Sequence, residues 1–105
     1  MGIKSQRKGR EAERELCRIL QEYGIPAKPG DPLNFGTVPD VVGIPGIHAE
    51  VKRQERLNLT AAIDQAVRDS QKFNDGLPAV FHRRNRQEWL VTMKLCDWMQ
   101  IYRKD

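Results

Sequence analysis

Two sets of apolar residues recur at three- and four-residue steps, and the chain between and after them has room only for short strands. Ala12, Leu16, Ile19, Leu20 and Tyr23 make the first stripe; Leu59, Ala62, Ile63, Ala66, Val67, Ser70 and Phe73 make the second. Such spacing puts each set on one face of an α-helix. Gly24 and Pro26 stop the first helix, expected over residues 9–23, and Gly76 and Pro78 close the second. Residues 38–43 and 47–52 are short, apolar and rich in β-branched side chains, with Pro45-Gly46 between them as a turn signal, so they are expected to pair as a hairpin. Residues 77–82 and 88–93 give two more strands across an arginine-rich turn, and Leu95, Trp98, Met99 and Tyr102 mark a last helix. Residues 27–37 read as a loop with a short strand at its start. The order predicts an α/β fold, a central mixed sheet of four to five strands flanked by helices.

At 105 residues the expectation is a single domain, 1–105, and a hydrophobic share of 39% suffices for its core. No apolar run approaches the ~18–20 residues of a membrane helix, and the first residues carry no apolar signal stretch, so a cytoplasmic protein with no membrane partner is expected. Cys17 and Cys96 are too few for a zinc site or a disulfide scaffold and are expected to be buried or half-buried free thiols. The net charge is +4, and the basic residues cluster: Lys4, Arg7, Lys8, Arg10, Arg14 and Arg18 near the start, then His82-Arg83-Arg84-Asn85-Arg86. Forked guanidinium groups suit phosphate oxygens, so the charge favours an anionic partner without naming one. Lys8, Arg10, Arg14, Arg53, Arg83, Arg84 and Arg86 are its expected contacts, with DNA as that partner if the chemistry of Asp40 and Glu50 holds. Charge alone is equally compatible with a solvated basic surface.

The chemistry-bearing stretch is Pro39-Asp40 followed at an interval by Glu50-Val51-Lys52. Glu50 and Lys52, two apart on a strand, share a face. A hairpin turning at Pro45-Gly46 would bring Asp40 across to them. Two carboxylates and an ammonium then converge, with the Val51 carbonyl as a further oxygen donor. Hard divalent ions such as Mg²⁺ or Mn²⁺ accept oxygen ligands of this kind. A Glu-x-Lys pair alone is an ordinary solvated face; the hairpin interval is what singles this one out. On the first helix, Glu13 lies roughly 75° from the middle of the apolar stripe at ~100° per residue. Glu15 lies at a similar angle on the other side and Glu11 points outward, so periodicity leaves Glu13 and Glu15 both open. Each could equally pair with Arg10, Arg14 or Arg18 on the helix surface.

Lys8-Gly9-Arg10-Glu11-Ala12-Glu13-Arg14-Glu15-Leu16, Pro39-Asp40-Val41-Val42-Gly43 and Ala49-Glu50-Val51-Lys52 together resemble the archaeal Holliday-junction resolvases of the PD-(D/E)XK nuclease superfamily. The likeness covers the first half of the chain, and small phage and bacterial nucleases of the superfamily are equally similar. It implies a restriction-endonuclease-like fold and a metal-dependent DNA endonuclease. Glu13, Asp40 and Glu50 would be metal-site carboxylates, joined by Val51, with Lys52 the catalytic lysine and Arg14 near the DNA. It also implies a homodimer acting on branched DNA. The resolvases' serine-bearing loop is replaced here by Asn34-Phe35-Gly36-Thr37-Val38-Pro39. Gln65, on the second helix, could face the metal site, since some members place a glutamine there, but a surface residue is the preferred reading. His48 and His82 read as structural or phosphate-side histidines. Trp89, Trp98 and Tyr102 fit core or dimer packing better than base stacking. The alternatives are a nuclease for flaps, duplex or single strands, and a non-catalytic nucleic-acid-binding module of the same fold.

Overall fold

A computed structural model of the chain describes residues 3–31 and 38–103, the side chains of residues 3–8 excepted. The Lys8 side chain and the loop residues Asn34, Phe35, Gly36 and Thr37 therefore lie outside the described residues.

Helix α1 (Ile3–Glu22) starts earlier than residue 9, since the apolar stripe marks only its core-facing part. Its end is set by Gly24 at φ +88°. The Ile25 N–H donates to the Leu20 carbonyl at 3.0 Å and the Gly24 N–H to that of Gln21 at 2.9 Å, the paired bonds of a Schellman cap. Tyr23 consequently leaves the helix and stands 80% exposed, rather than closing the apolar stripe.

The expected hairpin does not form. Strand β2 (Val41–Val42) takes its ladder from β1 (Lys28–Pro29), antiparallel, with Lys28 opposite Val42. Strand β3 (Ile47–Arg53) instead runs parallel to β4 (Leu77–Arg83), in register from Ile47–Leu77 to Arg53–Arg83. The turn itself is present, with the Ile47 N–H donating to the Ile44 carbonyl at 3.1 Å. Pro45 has no N–H to extend a ladder. Gly43, at φ +88°, lies so close to the Pro26 carbonyl that no Cβ would fit, which holds the end of β2 against the β1 side. β2 still packs against β3, without hydrogen-bonded pairing. Strand β5 (Leu90–Met93) adds antiparallel to β4. In place of one sheet of four to five strands there is a mixed sheet, β3-β4-β5, and a separate pair, β1-β2.

Helix α2 (Leu59–Phe73) is the crossover between the parallel strands. The Asn58 side chain caps its start by accepting from the Ala61 N–H at 3.0 Å. Beyond it, Gly76 adopts φ +132° and lies so near Gly46 that a Cβ would sit 2.5–2.6 Å from the Gly46 backbone. The Leu77 N–H donates to the Gly46 carbonyl at 2.9 Å, so β3 and β4 begin at two apposed glycines.

Strand alternation divides the core between the two faces of the sheet. Leu16 and Cys17 of α1 pack with Ala27, Val41, Ala49, Ala79 and Phe81; Ala62 and Ala66 of α2 pack with Val80. The last helix, α3 (Leu95–Tyr102), forms as expected but buries none of its residues. Leu95 is 72% and Tyr102 70% exposed, with Trp98 stacked on Tyr102 at 4.8 Å. Neither aromatic is a core residue. Cys17 is buried, whereas Cys96, on this same helix, is exposed. Among the described residues no helix is long and apolar enough to cross a membrane.

Candidate active site

A cavity of about 750 Å³ opens beside β3, lined by Glu13, Asp40, Glu50, Val51 and Lys52 together with Arg10, Arg14, Arg53 and Gln65. These come from four stretches of the chain. Glu13 sits on α1 between Ala12 and the core residues Leu16 and Cys17, half-buried. Asp40 immediately precedes β2, where its carbonyl accepts from the Gly30 N–H at 2.8 Å. Glu50 and Lys52 lie two apart on β3, and Glu50 is only 3% exposed. Gln65 reaches the cavity from α2. The hairpin expected to bring Asp40 to Glu50 is absent, yet packing of β2 against β3 delivers both to one cavity.

The carboxylates here are poorly compensated. Glu13 is pushed up to about 7, chiefly by burial and then by the charge of Asp40, against the lowering effect of Arg10. Asp40 is also raised, by burial and by Glu50, with Lys52 acting against both. Crowded, desolvated carboxylates resist ionising together, and a divalent cation relieves that repulsion. Hard oxygen donors of this kind fit Mg²⁺ or Mn²⁺.

Three further residues join the site: His48, read from the sequence as structural or phosphate-side, and Asp69 and Asp75, beyond the reach of sequence reasoning. His48, 2% exposed, is a core histidine, as its structural reading expected, but it also touches the site. Its Nε2 is 3.1 Å from Glu50 Oε1, and its Nδ1 is 2.8 Å from one Asp75 oxygen and 2.9 Å from the other. Burial alone would lower its pKa, but hydrogen bonds to Glu50 and Asp75 prevail and raise it to about 9. Asp69, on α2, presents a carboxylate oxygen such that potential ligand atoms of His48, Glu50 and Asp69 all lie within 4.8 Å of one another. Parity along β3 places His48 on the same face as Glu50 and was visible in the sequence. Asp69 and Asp75 had no such signal, because their approach depends on where α2 crosses.

The basic residues divide. Arg10 and Arg14 are exposed on α1 at the cavity rim. Arg53 borders the cavity and also a shallow groove with Arg18 and Arg86. Its Nε donates to Asn85 Oδ1 at 3.2 Å. Arg83 is engaged elsewhere. It donates to both Glu15 oxygens, at 2.7 and 3.0 Å, and lies over the Trp89 ring, whose Nε1 also donates to Glu15 at 2.8 Å. Arg84 is exposed in the turn with Arg86, which adopts φ +62°. His82 donates to or accepts from Thr92 Oγ1 at 2.8 Å, between β4 and β5, away from the cavity.

Comparison with family models, with curated proteins and with solved structures finds no match for this chain.

Proposed function

We propose that this chain is a metal-dependent DNA endonuclease of restriction-endonuclease-like fold, working with Mg²⁺ or Mn²⁺. The observation that carries the reading is the meeting of Glu13, Asp40 and Glu50 with Lys52 in one cavity rimmed by Arg10 and Arg14. Bound among these carboxylates and the Val51 carbonyl, a divalent ion would polarise a phosphate oxygen and acidify a water. Lys52, on the Glu50 face of β3, would orient that water or offset charge on the phosphate as the bond breaks. Arg10 and Arg14 hold neighbouring phosphates, and Arg53 continues the basic path into the groove with Arg18 and Arg86. Contacts to the backbone favour reading of DNA shape over base sequence, which suits branched DNA.

The working unit in this reading is a symmetric homodimer, with the apolar face of α3 as the contact between copies. A two-fold dimer presents one centre to each of two strands of opposite polarity. A cytoplasmic setting accords with DNA as substrate. Incubation with labelled four-way junction, flap, duplex and single-stranded DNA plus Mg²⁺ tests the activity, with Asp40→Asn as the inactive control. Light scattering on wild type and Trp98→Ala tests the dimer. Absence of metal-dependent cutting of any of these substrates overturns the nuclease reading. A strict monomer that nicks junction and duplex alike overturns only the junction specificity and the dimer.

A further inference from the structure

Glu50 is held from behind. Its Oε1 accepts from His48, and His48 is held in turn through Nδ1 by the carboxylate of Asp75, which stands just after α2. Both ring nitrogens face carboxylate oxygens, so the ring bridges Asp75 and Glu50. Its plane is fixed further by stacking on Phe73, 15° from parallel at 6.2 Å between centroids. His48 and Glu50 are almost fully buried, whereas Asp75 is partly open, with 26% of its side chain exposed.

We propose that Asp75 and His48 are positioning residues for the metal site: together they pin one oxygen of Glu50 and leave the other to bind the cation. The proposal rests on the nuclease reading and deepens it by naming what orients the central ligand. An unrestrained carboxylate on a strand rotates about its last torsion, which is broad and two-fold. A hydrogen bond to one oxygen removes that freedom before the ion arrives. The Asp75 carboxylate holds Nδ1, and with it the tautomer and tilt of the ring, so that the Nε2–H is directed at Glu50. The three residues sit on β3 and at the end of the crossover helix, so the parallel register of β3 and β4 also sets this orientation. Outer partners of metal ligands typically govern about 10–100-fold of metal affinity.

The test is Mn²⁺ binding by the full chain, without DNA, followed by calorimetry. DNA affinity in chelator and the melting temperature are measured in parallel. Asp75→Ala should weaken Mn²⁺ binding about tenfold while leaving metal-free DNA affinity close to wild type, with some fall in melting temperature from the lost bond to His48. Asp75→Asn should recover most of the loss, because a carboxamide still meets Nδ1 and the neutral ring keeps its Nε2–H on Glu50. Adding Asp75→Ala to His48→Gln should cost nothing further, as both act through one hydrogen bond. Wild-type Mn²⁺ affinity in Asp75→Ala would overturn the inference. So would equal losses in the alanine and asparagine variants, or a fall in metal-free DNA affinity that tracks the loss of Mn²⁺. A wild-type chain that binds no Mn²⁺ would instead overturn the nuclease reading itself.

Discussion

Glu13 and Glu15 flank the same buried stripe of α1, and their surroundings are opposite in kind. On one side of the helix Glu13 faces Asp40 and Glu50 in a cavity, its pKa raised to about 7 by burial and like charge. On the other, Glu15 receives Arg83 and Trp89, and its pKa is lowered, first by the hydrogen bond from Arg83. The Arg83 side has settled its electrostatics within the chain; the cavity side has left them open. Both regions hold a partly buried carboxylate, so burial alone does not mark a functional site. What sets the candidate site apart is like charge: neighbouring carboxylates push Glu13 and Asp40 up, whereas Arg83 holds Glu15 down.

The largest effect expected from that contrast is on cleavage. Asp40→Asn and Glu50→Gln should each reduce the rate at least a hundredfold, given the several kcal/mol a metal supplies, while DNA affinity in chelator stays near wild type. Retention of cutting by either variant in a gel assay would break the assignment of the open side as the catalytic one.

Next comes the glutamate pair itself. Glu13→Gln should cripple cutting and, without metal, raise the melting temperature at pH 8. The sign follows from linkage. A carboxyl whose folded pKa lies above its unfolded value of 4.5 gives stability that is full below pH 4.5 and is lost as pH rises through about 7. Glu15→Gln should cut nearly normally but melt lower at pH 8, by roughly 1–3 kcal/mol of lost charge-assisted bonding. Its depressed pKa reverses the window: the stability it gives is present above 4.5 and is lost as pH falls below it. Melting scans of both variants beside wild type, from about pH 2.5 to 9, check the two slopes, and slopes of like sign would erase the distinction.

A smaller effect separates the arginines. Arg83→Ala should lower stability much as Glu15→Gln does, because it opens the same clamp. Arg84→Ala with Arg86→Ala should leave melting unchanged and flatten the log–log salt dependence of DNA binding by up to about two, one for each phosphate no longer neutralised. An unchanged slope would assign the 84–86 turn to the solvated surface and confine the DNA path to Arg10, Arg14 and Arg53.

Much of the α/β order was legible because helices announce themselves by period. α2 and α3 begin and end where their stripes and stop signals place them. Strand pairing was not legible, because a turn sequence specifies a bend and not the ladder that follows it. Ile44 to Ile47 do bend, while β3 hydrogen-bonds to a strand from beyond α2. The cavity survived that error because Asp40 needs only to lie near β3. Glu13 and Glu15 were indistinguishable by angle, and what separates them is Arg83 and Trp89, both far along the chain. Asp69 and Asp75 were beyond reach for the same reason. Likewise, an apolar stripe reports that α3 is a helix with a face to cover, and not whether this chain covers it.

The apposition of Gly46 and Gly76 bears on the order in which the molecule comes together. Antiparallel strands can zip up from a tight turn, but parallel ones meet only after the whole intervening crossover has been drawn in. At the junction of β3 and β4 no side chain intervenes, so the two strand starts close only when both backbones adopt their final path. Glu50 lies on one side of that closure and Asp75 at the end of the crossover, so neither is in place until the ladder is. On the proposed function, a refolding chain completes its metal site only with the parallel ladder. Mn²⁺ binding should therefore appear no earlier than that ladder, and Gly76→Ala, whose Cβ would meet the Gly46 backbone, should weaken both.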